Sequence, residues 1–220
     1  MLNKDLISAS IPTLSLQDKI YQALQLMSDY HLGQLPVISE DKFLGLVSED
    51  QLLNCEQEID TLEQLQPSFN NLSVNGNLHF TEAIRLVNET NVSVMPVVDD
   101  EVNWIGAISS SDLLRNAGRF FGIEEPGGVI VLEMEKRDFS FSQLGKLVES
   151  NDANISQLNT YYDKNLNVVL VTLKINKMEI ADIVATFQRY EYSVKYYFGE
   201  ESYENELKNN YDHLMNYLNI

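Results

Sequence analysis

Gln34-Leu35-Pro36-Val37-Ile38 and, sixty positions later, Val94-Met95-Pro96-Val97-Val98 are one short apolar phrase written twice. Around it the coincidences multiply. Ala23, Leu26, Pro36 and Val37 recur at the same offset as Ala83, Leu86, Pro96 and Val97. After a one-residue insertion near Asn103-Trp104, Gly45, Ser48, Leu52 and Leu53 recur as Gly106, Ser109, Leu113 and Leu114. A repeat of this period is one supersecondary unit used twice.

Each copy predicts the same order of elements. Ile20, Ala23, Leu24 and Met27 fall at i, i+3, i+4 and i+7, and Phe80, Ala83, Ile84 and Val87 repeat that stripe. Both are amphipathic helices with one buried face. The two quoted phrases follow as short strands, with proline at the beginning, where no ladder donor is required. Turns at Ser39-Glu40-Asp41 and Asp99-Asp100-Glu101 lead to second strands over 43–47 and 104–108, and a short helix then opens at Ser48 or Ser109. Such a unit leaves one sheet face uncovered, so the two copies are expected to pack together.

With Gly45-Leu46-Val47-Ser48 and Gly106-Ala107-Ile108-Ser109, these phrases resemble the CBS domain family, as a tandem pair (a Bateman module) over residues 1–122, the first repeat over about 1–60 and the second over about 61–122. The resemblance implies an adenosine-containing ligand (AMP, ADP, ATP or S-adenosylmethionine) between the repeats, and a homodimer. The family's ribose contact is Ser or Thr followed three residues later by Asp. Ser109-Ser110-Ser111-Asp112 matches it and Ser48-Glu49-Asp50-Gln51 does not. A carboxylate can accept from two ribose hydroxyls at once, whereas a Gln amide has one acceptor oxygen. The candidate site is therefore Ser109 and Asp112, with Pro96 and Val97 lining the base and Arg115 or Arg119 facing a phosphate. Ser-x-x-Asp and Ser-x-x-Gln are also both capping boxes, a role that accounts for both copies at once.

Phe121 to Gly128, ending in Pro126-Gly127-Gly128, breaks the pattern and is expected to separate two domains. Beyond it the alternation at Ile130, Leu132 and Met134 predicts a strand, and Leu144, Leu147 and Val148 a helix. Strands are expected over 155–162 and 168–175, a helix at Ile180, Ile183, Val184 and Phe187, and a last strand over 192–198. The order βαββαβ is the ferredoxin-like plan. Order, size and the Pro-Gly-Gly opening resemble the ACT domain over 127–200, and a CBS pair followed by an ACT-like domain resembles the proteins named for acetoin utilisation. ACT domains that bind amino acids carry a glycine after the first strand. Phe139 stands in that loop here, which points to subunit pairing instead of amino-acid binding. Leu207, Tyr211, Leu214 and Leu218 predict a C-terminal helix over 201–220.

Composition bounds the partners. With 15 basic and 33 acidic residues the net charge is −18, opposite in sign to what nucleic acid or an anionic membrane attracts. Residues 1–125 alone carry 6 basic and 19 acidic side chains. The single cysteine, Cys55, excludes an intrachain disulfide or a cysteine-built zinc site. No apolar leader and no apolar run of about 18 residues occurs, so a cytoplasmic location is expected. His31, His79 and His213 lack ligand spacing, and no GxGxxG or Walker A phrase occurs. The α/β (α+β) chain thus reads as a regulatory, ligand-sensing protein with no catalytic residues and no metal; a ligand-free dimerisation or adaptor module acting on an unidentified protein partner is the alternative.

Overall fold

The computed structural model describes residues 1–55 and 60–200. By internal packing the chain divides into Met1–Gly118 and Arg119–Ile220.

In the first unit, repeat one comprises α1 (Ile20–Tyr30), β1 (Gln34–Ser39), β2 (Lys42–Ser48) and α2 (Glu49–Leu53). Repeat two comprises β3 (Val74–Asn75), α3 (Thr81–Thr90), β4 (Val94–Val98), β5 (Trp104–Ser109) and α4 (Ser110–Phe120). The stripes fold as expected: Ile20, Ala23 and Met27 are buried on α1, and Phe80 and Ala83 at the equivalent places of repeat two. Both helices stop alike, at His31 and Asn91 in the left-handed conformation (φ 54° and 55°), whose N–H groups reach back to Met27 and Val87. That geometry satisfies last-turn carbonyls, and it gives His31 a structural role. Each hairpin, β1–β2 and β4–β5, is antiparallel and carries a bulge at the same place, after Val37 and after Val97.

The two repeats are interleaved. Residues ahead of α1 run along repeat two: Asn3 N–H bonds Leu78 O at 2.9 Å, Lys4 N–H bonds Gly76 O at 3.0 Å and Ser8 N–H bonds Ala107 O at 2.9 Å. Residues ahead of β3 run along β2, where Asn70 and Leu46 exchange backbone bonds of 2.9 and 2.8 Å. The cores follow suit. Leu6, Phe43 and Leu46 join the core of repeat two with Phe80, Val97 and Ile108, while Leu62 and Phe69 join that of repeat one with Ile20, Leu35 and Val47. Glycine is required where the chain crosses. A Cβ on Gly45 (φ 146°) would lie 2.6 Å from Phe69 Cβ, and one on Gly106 would lie 2.5 Å from Ile7 Cγ2.

The second unit runs β6 (Val129–Met134), α5 (Phe141–Glu149), β7 (Ile155–Asp163), β8 (Val168–Ile175), α6 (Ala181–Arg189) and β9 (Ser193–Phe198). Its sheet has the order β7-β8-β6-β9 with every neighbouring pair antiparallel, the ferredoxin-like arrangement. Strict alternation along β8 sends Val169, Val171, Leu173 and Ile175 into one core with Ile130 and Leu132 under Leu144, Val148 and Phe187 of the helices. Phe139 packs against this core as well.

One expectation needs amendment. The helix after Ser109 is not short: α4 has 11 residues, against 5 in α2. The parallel pairing of β3 with β4, and its remnant in repeat one, a single bridge from Leu14 to Val37, were not foreseen. A pairing of one or two residues has no period to read. The C-terminal helix expected over 201–220 lies outside the described residues.

Candidate ligand site at the second repeat

Ser109 closes β5 and caps α4, and Asp112 sits in the first turn of that helix. The Asp112 N–H donates to Ser109 Oγ at 3.0 Å, and the Ser109 hydroxyl donates to Asp112 Oδ2 at 2.7 Å. Arg115, one turn on, donates to Asp112 Oδ1 at 2.6 Å. The Ser8 hydroxyl, from the N-terminal segment, also donates to Asp112 Oδ2. Hydrogen bonds from Ser8 and then Ser109 hold the Asp112 carboxyl below the usual aspartate range; partial burial opposes them and the Arg115 charge adds to them. The result is a carboxylate held in its ionised form by its donors, with 23% of its side-chain surface open to solvent.

The corresponding place in repeat one holds a different device. Ser48 Oγ accepts from Gln51 N–H at 3.3 Å and Gln51 Oε1 accepts from Ser48 N–H at 2.8 Å, a complete capping box. The Gln51 amide donates to Ser68 O at 2.8 Å. Gln51 is thus engaged on both sides by its own chain and offers no charge.

The remaining site residues fall into two groups. Arg115 joins Ser109 and Asp112, its side chain 61% exposed. Pro96 and Val97 are buried within β4, with the Val97 side chain at 0% exposure in the core of repeat two and the strand at Val97 flanked by β3 and β5. Ser8 is the residue that sequence reading missed. Its signal was absent because its bonds to β5 and α4 bridge about a hundred positions. Ser93 was missed likewise: its N–H and hydroxyl both donate to Gln34 Oε1, at 2.8 and 2.7 Å, tying the two repeats.

Elsewhere, two surface hollows lie in the second unit, one of about 440 Å³ at Phe121, Gln157 and Lys174, the other of about 1040 Å³ at Arg137, Gln143 and Tyr192. Among the described residues no group of three or more His, Cys, Asp or Glu side chains could hold a metal ion. No helix among them is long and apolar enough to cross a membrane.

The sequence profile of the CBS domain matches residues 4–58 and again 65–119, together half of the chain. The chain belongs to the CBS domain family. The two matches coincide with the interleaved repeats, so the CBS pair is the first unit. A CBS domain pair/ACT domain protein from Thermotoga maritima is similar in structure, with a TM-score of 0.50 and 23% identity, over 55% of this chain and 98% of that one. In sequence, the inosine-5'-monophosphate dehydrogenase of Thermoplasma acidophilum is 22% identical over 82% of this chain and 36% of its own length. A CBS domain-containing protein of Dictyostelium discoideum is 29% identical over 52% of this chain and 89% of its own. The chain spans about a third of the length of the dehydrogenases it matches.

Proposed function

We propose that this chain is a ligand-sensing regulatory protein, without catalysis of its own, in which the second CBS repeat binds an adenosine-containing small molecule at Ser109 and Asp112. The observation that carries this reading is the Asp112 carboxylate: ionised, partly open to solvent, at the start of an 11-residue helix, with an exposed guanidinium one turn away. A carboxylate accepts from paired hydroxyls, and Arg115 is a matching donor for a phosphate or carboxylate on the same ligand. AMP, ADP, ATP and S-adenosylmethionine all combine a ribose with an adenine. The chain acts as a homodimer, with the second unit as an ACT-like module that reads out the state of the pair, in the domain order of acetoin-utilisation-type proteins. Ligand that favours one arrangement of the repeats biases that module by its difference in affinity for the two arrangements.

The test is a thermal-shift titration of the full chain with each of these four compounds, beside Asp112→Asn. Ligand at about 100 times its dissociation constant stabilises the folded state by about 2.7 kcal/mol. A shift that appears for one compound and vanishes in Asp112→Asn supports the site. No shift with any compound defeats it.

A second reading has its own support: Ser8, Ser109 and Arg115 satisfy Asp112 without any ligand. A ligand-free dimerisation or adaptor module then remains, and it predicts an intact dimer indifferent to every nucleotide.

A further inference from the structure

In the first repeat the capping box is reciprocal, because a Gln side chain is long enough to reach back to the N–H of Ser48. Asp112 is one methylene shorter, and the N–H of Ser109 goes instead to Ser8 Oγ, at 3.2 Å. The same Ser8 hydroxyl then gives its proton to Asp112 Oδ2. Ser8 therefore stands in the gap between cap and carboxylate, accepting from one and donating to the other.

Ser8 is itself fixed. Its own N–H is bonded to Ala107 O on β5 at 2.9 Å, and the preceding Ile7 lies over Gly106, where no side chain fits. The two carboxylate oxygens are consequently unequal. Oδ2 carries two hydroxyl donors held by the fold, while Oδ1 carries only the exposed Arg115.

We propose that Ser8 is the positioning residue of the second-repeat site, setting the plane of the Asp112 carboxylate so that Oδ2 is locked to the protein and Oδ1 is presented to the ligand. This rests on the reading of Asp112 as a ligand contact. It also makes the site a joint product of the N-terminal segment and of a helix a hundred positions away. Arg115, on the same helix, is the charged group acting on Asp112; the N-terminal segment and β5 present only the neutral hydroxyls of Ser8 and Ser109.

The experiment compares wild type, Ser8→Ala and Ser8→Thr in two measurements on the full chain. The first is the titration of the Asp112 carboxyl followed by carbon NMR without ligand. The second is AMP affinity by calorimetry as a function of pH. Loss of a hydroxyl donor to a charged group is expected to weaken AMP about tenfold in Ser8→Ala. The Asp112 midpoint and the acid limb of AMP binding should both move up in pH. Ser8→Thr, which keeps the hydroxyl, should restore both. An unmoved Asp112 midpoint in Ser8→Ala, or full AMP affinity in that variant, overturns the proposal. So does a Ser8→Thr protein that behaves like Ser8→Ala. If wild type binds no AMP while Ser8→Ala still moves the Asp112 midpoint, the carboxylate is set by Ser8 and the ligand reading alone fails.

Discussion

Asp112 and Gln51 occupy equivalent places in the two repeats, and a methylene and a charge separate what they do. Gln51 completes its capping box, whereas Asp112 leaves that task to Ser8 and keeps a charge near the surface. The counterpart of Ser8 is Asn70, which makes the equivalent backbone bond, to Leu46 in place of Ala107, but uses its side-chain oxygen on Leu72 N–H. Gln51→Asp is therefore expected to lose the reciprocal cap, about 1 kcal/mol of stability, and to gain no nucleotide-dependent shift. Denaturant unfolding and the thermal-shift assay read the two outcomes. The sign of the pH effect at Asp112 follows from its depressed carboxyl. Its contribution to stability is fully present above the unfolded aspartate value, about 3.9, and is lost as pH falls through the lower folded value. The stability difference between wild type and Asp112→Asn should accordingly be constant near neutrality and shrink in acid. A difference that grows on acidification would contradict the hydrogen-bond pattern. Ser109, Asp112 and Arg115 were legible because they lie within seven residues of one another, on a turn and a helix whose periods are known. Ser8 was not, since nothing local marks a serine whose partners come a hundred residues later. The burial of the Val97 side chain was not legible for a related reason: alternation says that a strand has two faces but not which one the second repeat covers.

Among the elements, those with a period were read correctly and those held by the rest of the fold were not. The stripes of α1 and α3 follow from residue spacing alone, and so does the alternation of β8. β3 has two residues, and its counterpart at Leu14 is a single bridge; each lies along the edge of a strand whose other edge is held by its hairpin partner. The crossings at Gly45 and Gly106 are of the same kind. Glycine there reads as a turn residue in the sequence, yet what demands it is the chain packed against it. Gly45→Ala should cost about 1–3 kcal/mol, because its backbone conformation disfavours a side chain and the new Cβ would meet Phe69. Chemical denaturation measures this directly, and an unchanged midpoint would mean that residues 69–70 yield without cost. The length of α4 escaped prediction because Leu114 is 76% exposed and Leu113 alone among its residues is buried. Its buried stripe is too thin to announce three turns.

For the whole molecule, the division into two units follows the apolar residues. Ile130, Leu132, Leu173 and Phe187 form one core entirely within the second unit, while the two cores of the CBS pair draw on residues before Gly118. Leu173→Ala, at a fully buried site, should destabilise the second unit by about 2–5 kcal/mol. Hydrogen exchange should place the loss in β6 to β9 and leave α1 and α3 protected; loss of protection across both would show a single cooperative unit. The βαββαβ order was legible at this scale because every strand and helix in it spans at least six residues. The interleaving of the CBS repeats was not, since it is written in backbone bonds between segments that share no local pattern.

That interleaving has a consequence for inheritance. The ligand site draws Ser8 from the start of the first repeat and Ser109, Asp112 and Arg115 from the end of the second. A recombination that joined two relatives between the repeats would give a child chain the carboxylate of one parent and the serine that aims it from the other. Specificity in such a lineage would pass on only when both ends of the CBS pair travel together, even though either repeat taken alone looks like a complete module.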